Sequence, residues 1–192
     1  MLYLFSKRIK PNRTKLTPTL NIFMKVRLIV ASLVLLFLTT VVGNSSDQDF
    51  KENFLGSMNK CYLEYYTQNP GTVVVPSRFV IAIAIHESDW GRSRIAKVSN
   101  NLYGMKTTSV DPAHFVYALG GNNIKLAKYD SRCDSVRDFI NLMTIDPRYN
   151  NVKEYFAKTK TVNYNHVLGL MPIYYEDPSW PNKVYNIIKG LK

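Results

Sequence analysis

The segment Phe79–Ile85, with the sequence FVIAIAI, constrains the fold of this chain more than any other stretch. Its alternating β-branched residues are typical of a strand. Every residue is apolar, however, including the alanines on the face that a strand would turn to solvent, and a fully buried helix accounts for this as well. Pro76 and Ser77, just before the segment, suit the first turn of a helix. We therefore predict a buried helix here.

The other segments predict a mainly α-helical domain with one small β-hairpin lobe. Two short runs, residues 115–119 and 124–129, flank a Gly-Gly-Asn-Asn stretch, which is typical of a β-hairpin. Apolar residues recur at helical spacing in most of the remaining segments. The predicted helices cover residues 47–68, 92–98, 135–145, 150–158, 162–170 and 181–189.

The first 43 residues differ in kind from the rest of the chain. They contain seven Lys or Arg and no acidic residue, and residues 28–42 form an uncharged run. A basic stretch, an apolar stretch and a small residue at a cleavage position are typical of a signal peptide. The apolar run is short for a membrane span of about 20 residues. We expect a cleaved signal or, alternatively, an N-terminal anchor, and in both cases export to the periplasm or cell envelope.

The positive charge of the chain comes largely from this leader. The formal net charge is +11, with 25 Lys and Arg against 14 Asp and Glu. Without the leader, 18 cations face the same 14 acids, an excess of four. This excess serves solubility or a mild attraction to an anionic cell wall. No basic stripe recurs on one helical face, so we expect no nucleic-acid partner.

Cys61 and Cys133 are the only cysteines. An exported chain with an even count can form one disulfide, but two buried free thiols fit the sequence nearly as well. No CxxC pattern occurs, and His86-Glu87 lacks the second His of a zinc helix motif. We therefore expect no metal and no cofactor.

Glu87 is the main candidate for chemistry because it directly follows the apolar segment. A carboxylate beside apolar residues is costly to ionise, so its pKa rises, and a protonated acid can donate a proton to a glycosidic oxygen. An ordinary helix-end carboxylate paired with Arg92 or Arg94 is the alternative. Aromatic rings and amides suited to sugar binding follow closely: Trp90, Asn100, Asn101 and Tyr103.

The segment ESDWGRSRIAKVSNNLYGMK (residues 87–106) resembles the core motif of the glucosaminidases of glycoside hydrolase family 73. The family pattern runs A-x-x-E-S-x-W-G-x-S-x-x-A-x-x-x-N-N-L-F-G-x-K, and the chain matches it from Ala84 to Lys106 with Tyr103 for the usual Phe. Residues 129–149 and 174–188 resemble the family stretches around N-P-R-Y and Y-A-T-D-P, with Trp180 for a Tyr. The likeness covers residues 74–189, so we divide the chain into a leader (1–43), a linker with a first helix (44–73) and a catalytic domain (74–192).

The resemblance implies a lysozyme-like α+β fold and cleavage of the β-1,4 bond after N-acetylglucosamine in peptidoglycan. Carried over, Glu87 is the catalytic acid, and Tyr174 lies near the site or packs in the core. Asp111 in the β lobe is the candidate second acid, although Asp111-Pro112 also suits a turn. If no second acid exists, the N-acetyl group of the substrate acts in its place.

The further candidates for sugar binding are weaker. Trp90 either stacks on sugar or packs in the core, and Tyr103 and Tyr117 are candidates for the groove. We expect a peptidoglycan glycan strand as the partner, a monomeric protein, and contact with a membrane only through the N-terminal segment. Two other functions stay open: a lytic transglycosylase, which also works with one Glu, and a glycan-binding module that has lost catalysis.

Overall fold

The computed structural model of the protein describes residues 46–120 and 123–191. The chain divides into two compact units, residues 1–48 and 49–192, and the second contains the motif around Glu87 and the hairpin. The predicted leader at residues 1–43 lies outside the described residues. Within the described part of the chain, no helix combines the length and the apolar character that crossing a bilayer requires.

Helices make up most of the described chain, as predicted. The hairpin strands β1 (Phe115–Tyr117) and β2 (Lys125–Ala127) pair antiparallel, with Val116 opposite Leu126. One 3-10 turn, Pro112–His114, precedes β1, and a second, Pro147–Tyr149, follows the fourth helix. The helices are α1 (46–68), α2 (Ser77–Ser88), α3 (Arg94–Ser99), α4 (Arg132–Thr144), α5 (Asn150–Lys158), α6 (Tyr164–Gly169) and α7 (Trp180–Gly190).

Helix α2 is the centre of the core, which confirms the helical interpretation of residues 79–85. None of these residues is more than 4% exposed. The helix packs mainly against α7 and also contacts α4. Full burial of a large apolar side chain contributes about 1.5–3 kcal/mol relative to exposure. An apolar residue at every position is therefore explained by protein on all sides of the helix.

A run of left-handed residues ends α2 immediately after Glu87. Asp89, Trp90 and Gly91 all have positive φ angles, of 50°, 57° and 77°. The buried Ser88 hydroxyl donates to the Ala84 carbonyl and accepts from the Gly91 N–H at 2.8 Å. This turn stops the helix one residue after the carboxylate, so Glu87 lies in the last turn of a rigid, buried element.

Gly91 is required in this turn for two reasons. Its φ of 77° is rarely adopted by residues with a side chain. In addition, a Cβ atom there would lie 3.1 Å from the ring of Phe54 on α1 and 3.3 Å from the Arg132 guanidinium. The Gly of the E-S-x-W-G motif is therefore explained by the turn and by the close approach of α1.

A disulfide between Cys61 and Cys133 links α1 to the first turn of α4. The sequence left this pairing open against two free thiols, and the structure resolves it in favour of the bond. A second contact joins the same helices, because the Tyr65 hydroxyl donates to Oδ1 of Asn141 at 2.7 Å. Helix α1, outside the stretch that resembles the family, is thereby fixed to the rest of the domain.

Candidate active site

Glu87 lies in a pocket of about 360 Å³. The last turn of α2, the segment after α3, the end of α4 with its 3-10 turn, and the segment before α7 form its wall. Three residues that the sequence singled out, Glu87, Tyr103 and Tyr174, come together here. The lining consists of Glu87, Tyr103, Gly104, Met105, Lys106, Leu142, Arg148, Tyr149, Ile173 and Tyr174.

The carboxylate of Glu87 is held by one hydrogen bond from α7. Trp180 Nε1 donates to Glu87 Oε1 at 2.6 Å. Within the described part of the chain, Oε2 accepts no hydrogen bond and joins no ion pair, so the alternative of a pair with Arg92 or Arg94 is not what the structure has. One oxygen is thus oriented by the protein, and the other is left to carry a proton.

The surroundings of Glu87 favour its protonated form. The Glu87 residue as a whole is exposed, but its carboxyl group is surrounded largely by protein atoms. This burial removes water from the carboxyl and raises the pKa of Glu87 above its ordinary value. The hydrogen bond from Trp180, and then the proximity of His86, lower the pKa by less than burial raises it. The shift therefore goes in the direction that a general acid requires.

Trp180 is itself fixed by aromatic packing. Its side chain is 4% exposed. The ring stacks on Tyr175, with centroids 4.8 Å apart and planes 12° apart, and lies against Tyr174 at 5.4 Å. A buried indole N–H needs an acceptor, and here that acceptor is the carboxylate. The stacking therefore fixes the direction of the hydrogen bond to Glu87.

Replacing Trp180 by Phe should move the pH dependence of catalysis. The lost hydrogen bond favoured the carboxylate, so the pKa of Glu87 should rise further. Activity that needs protonated Glu87 should then persist to higher pH, and the alkaline limb of kcat/KM should shift upward. Loss of orientation should lower kcat about tenfold, since a hydrogen bond to a charged group is worth about 1.5 kcal/mol or more.

Tyr175→Phe is the matched control for this change. It keeps the stacked ring and the indole N–H, so its pH profile should follow the wild type. An unchanged alkaline limb in Trp180→Phe would show that the hydrogen bond does not act on the pKa of Glu87.

Tyr174 and Tyr103 form an aromatic wall beside the acid. The Tyr174 hydroxyl donates to the Tyr103 carbonyl at 3.0 Å. The ring of Tyr103 stacks on Phe139 of α4, with centroids 4.2 Å apart. Burial, and then the charge of Glu87, raise the pKa of Tyr174 well above its ordinary value, so its hydroxyl stays protonated. Tyr174 is therefore a neutral hydrogen-bond donor in this pocket.

The asparagines of the motif make their hydrogen bonds to the backbone. Asn101 is 2% exposed. Its Nδ2 donates to the carbonyls of Met105 and Ala127, and its Oδ1 accepts from the N–H groups of Tyr103 and Met105. The Asn100 amide donates to the Tyr129 carbonyl at 3.0 Å. Both side chains hold the segment that carries Tyr103 and join it to the chain around β2.

Asn101→Ala should therefore act mainly on stability. It leaves buried backbone groups without partners, at about 1–3 kcal/mol for such a group, so the free energy of unfolding in urea should fall by about 2–4 kcal/mol. Asn186→Ala, on the exposed face of α7, should change it by less than about 0.5 kcal/mol. Unchanged stability together with weaker glycan binding would instead favour direct contact between Asn101 and sugar.

The remaining predicted residues lie outside the lining of the Glu87 pocket. Trp90 lines a separate apolar pocket of about 410 Å³, and its ring packs 5.9 Å from that of Phe54. Tyr117 is 51% exposed on β1. Asp111 precedes the first 3-10 turn, and its Oδ1 accepts from the Ala113 N–H at 2.9 Å. Their roles in binding and catalysis stay predictions.

Several lining or supporting residues were not singled out from the sequence. Trp180 stands at a family tyrosine position within residues 174–188, which was the one signal pointing to it. Arg148 and Tyr149 belong to the stretch that resembles N-P-R-Y, and Lys106 ends the core motif. Helical spacing alone does not bring these positions to one pocket.

Comparison with known proteins gives a family match by sequence. A sequence model of the glucosaminidase family, described as mannosyl-glycoprotein endo-beta-N-acetylglucosaminidase, matches residues 63–192. No curated protein matches the chain.

Solved structures share the fold. The catalytic domain of the autolysin Auto from Listeria monocytogenes is 24% identical with a TM-score of 0.55, over 73% of this chain and 84% of that one. A peptidoglycan hydrolase from Sphingomonas sp. A1 is 23% identical with a TM-score of 0.53, over 68% and 83%. An N-acetylmuramoyl-L-alanine amidase from Staphylococcus aureus is 28% identical with a TM-score of 0.53, over 73% of this chain and 41% of that one.

These matches confirm the lysozyme-like fold class and the resemblance found in the motif. The family match spans more than half of the chain and includes Glu87 and the other pocket residues. The chain belongs to the glucosaminidase family, glycoside hydrolase family 73, and is a glycosidase.

Proposed function

We propose that the protein is an exported peptidoglycan hydrolase that cleaves the β-1,4 bond after N-acetylglucosamine, with Glu87 as the general acid. One observation supports this above all: a carboxyl group of raised pKa faces a sugar-sized pocket, with one oxygen fixed by Trp180 and the other free. The autolysin and the peptidoglycan hydrolase of the same fold support the choice of substrate.

In the first step, Glu87 protonates the leaving glycosidic oxygen while the bond to the anomeric carbon breaks. Glu87 is the only carboxylate among the residues that line the described pocket. We therefore assign the nucleophile to the substrate, whose N-acetyl oxygen attacks the anomeric carbon. Water then opens the cyclic intermediate, and the Glu87 carboxylate takes the proton of that water. The course retains the anomeric configuration.

Aromatic residues supply the positioning. Tyr174, which is half-buried, faces the sugar, and its hydroxyl donates to the carbonyl of the buried Tyr103 at 3.0 Å. Holding the reacting groups in one geometry lowers the barrier without taking part in bond making. Trp180 stabilises the carboxylate that proton donation leaves behind.

The identity of the new chain ends tests the reaction. A digest of purified cell wall, analysed by mass spectrometry, should contain reducing N-acetylglucosamine ends. Anhydro-muramic ends would instead identify a lytic transglycosylase, and these ends would overturn the hydrolytic assignment. Binding to the wall without release of fragments would favour a glycan-binding module.

We further propose that residues 1–43 direct export and that the domain acts as a monomer at the cell envelope. Cell fractionation with N-terminal sequencing distinguishes a cleaved signal from a retained anchor. Recovery of the intact chain from the cytosol would contradict export.

A further inference from the structure

We propose that Lys106 and Arg148 form a binding site for a carboxylate carried by the muramic acid residue of the substrate. This inference deepens the proposed function and rests on it for the identity of the glycan. Both cations line the same pocket as Glu87, yet proton donation requires neither of them.

Lys106 is held at the pocket by its backbone, and its charge is unpaired. Its main chain forms a bridge with Leu126 of β2, which fixes where the side chain begins. The side chain is exposed, and across residues 46–120 and 123–191 its ammonium group pairs with no carboxylate. A fixed main-chain position with an unpaired charge suits the binding of an anionic ligand.

Arg148 reaches the pocket from another element, the 3-10 turn after α4. Asp146 orients it, since Nε of Arg148 donates to Oδ1 at 3.0 Å and Nη2 donates to Oδ2 at 2.7 Å. Hydrogen bonds from Arg148 lower the pKa of Asp146 to about 2, so this pair persists over the whole neutral range. The Nη1 group has no acceptor within the described part of the chain and is left for a ligand.

The pocket carries one unpaired cation, Lys106, beside the Arg148–Asp146 ion pair, and this balance favours an anion. Glu87 is the only acidic residue in the lining, and its raised pKa favours the uncharged form. Within the described part of the chain, the Glu87 carboxylate accepts its hydrogen bond from Trp180 and pairs with neither Lys106 nor Arg148. Both cations are therefore left to meet an anion on the ligand.

The chemistry of peptidoglycan supplies such an anion. Its glycan alternates neutral N-acetylglucosamine with muramic acid, whose lactyl ether ends in a carboxyl group. That group is free in unsubstituted strands and is amide-linked to a peptide in others, where the peptide carries its own carboxylates. A polymer of N-acetylglucosamine alone has neither, so the pair distinguishes cell-wall glycan from neutral glycan.

Calorimetry with Glu87→Gln protein, which should bind without turnover, tests the site. Three ligands are compared at low salt: a glucosamine–muramic acid tetrasaccharide with free lactyl carboxylates, its lactyl carboxamide, and the same glycan bearing peptide stems. The carboxylate should bind about five- to tenfold more tightly than the carboxamide, as expected for a charge pair with hydrogen bonds.

Lys106→Met or Arg148→Met in the same background should remove most of this preference, whereas Lys97→Met, an exposed cation outside the pocket, should not. Preference for the stem-bearing glycan alone would also support the site and would place the carboxylate in the peptide. Equal binding of carboxylate and carboxamide would overturn the proposal, as would an equal effect of Lys97→Met. If the protein preferred the carboxylate but the wild type released no fragments from cell wall, the hydrolase assignment would be wrong and the carboxylate site would stand.

Discussion

Replacing Glu87 by Gln should abolish the release of fragments from purified cell wall. Glutamine has nearly the same shape and keeps an oxygen for the Trp180 N–H, which donates to Glu87 Oε1 at 2.6 Å in the wild type. Its amide N–H, however, is far too weak an acid to protonate the leaving oxygen. A positioned general acid contributes about a hundredfold to ten-thousandfold in rate, so kcat should fall by that factor. The measurement is the rate of appearance of reducing ends.

The effect on stability separates loss of the acid from loss of the fold. A carboxyl group with a raised native pKa contributes stability that is present at low pH and is lost as the pH rises through that pKa. The amide cannot ionise, so Glu87→Gln should unfold at the same temperature as wild type near pH 7, or at a higher one. Weakened folding would point to a structural role for the carboxylate.

Glu176→Gln is the matched control. Glu176 is exposed, lies in the segment that also carries Tyr174, and does not line the pocket. Its variant should keep full activity. If Glu87→Gln retained more than about a tenth of the wild-type rate, the assignment of Glu87 as general acid would be wrong.

Removing the disulfide should have the largest effect on stability. Cys61 and Cys133 close a loop across a sequence separation of 72. Restricting the unfolded chain by a loop of this length stabilises the native state by about 4 kcal/mol, so Cys133→Ser should lower the free energy of unfolding in urea by that amount. Added reductant should lower the wild type to the same value.

Cys61→Ser and the double variant complete this experiment. Neither should be less stable than Cys133→Ser by more than about 0.5 kcal/mol, because all three lose the same bond. Identical unfolding midpoints for oxidised and reduced wild type would show that the bond contributes nothing. The site depends on it indirectly: α4, which the bond ties to α1, supplies Leu142 to the pocket and Phe139 to the stack with Tyr103.

The sequence was most informative about features that depend on a single secondary-structure element. The uniform apolar character of residues 79–85 predicts burial on every side, and α2 has it. The hairpin was predicted as longer strands than the three-residue β1 and β2 of the structure. Leu119, in the predicted first strand, lies beyond the end of β1 and is 79% exposed.

The spacing of residues in the sequence could not predict contacts between segments that are far apart along the chain. Trp180 and Glu87 are 93 residues apart, and no periodicity relates them. The disulfide stayed open for the same reason. The amide pair Asn100-Asn101 looked suited to sugar, but such side chains serve equally well as bridges between backbone segments, and only burial and partner atoms distinguish the two uses.

The hydrogen bond from α7 to α2 also bears on when the site becomes organised during synthesis. Of the described helices, α7 is the last to leave the ribosome, so the nascent chain carries Glu87 before it carries the indole that orients it. The site therefore stays incompletely organised until α7 has emerged and packed against α2. Loosening the packing of α7 away from the sugar-binding pocket would likewise lower activity, although the pocket itself would stay open.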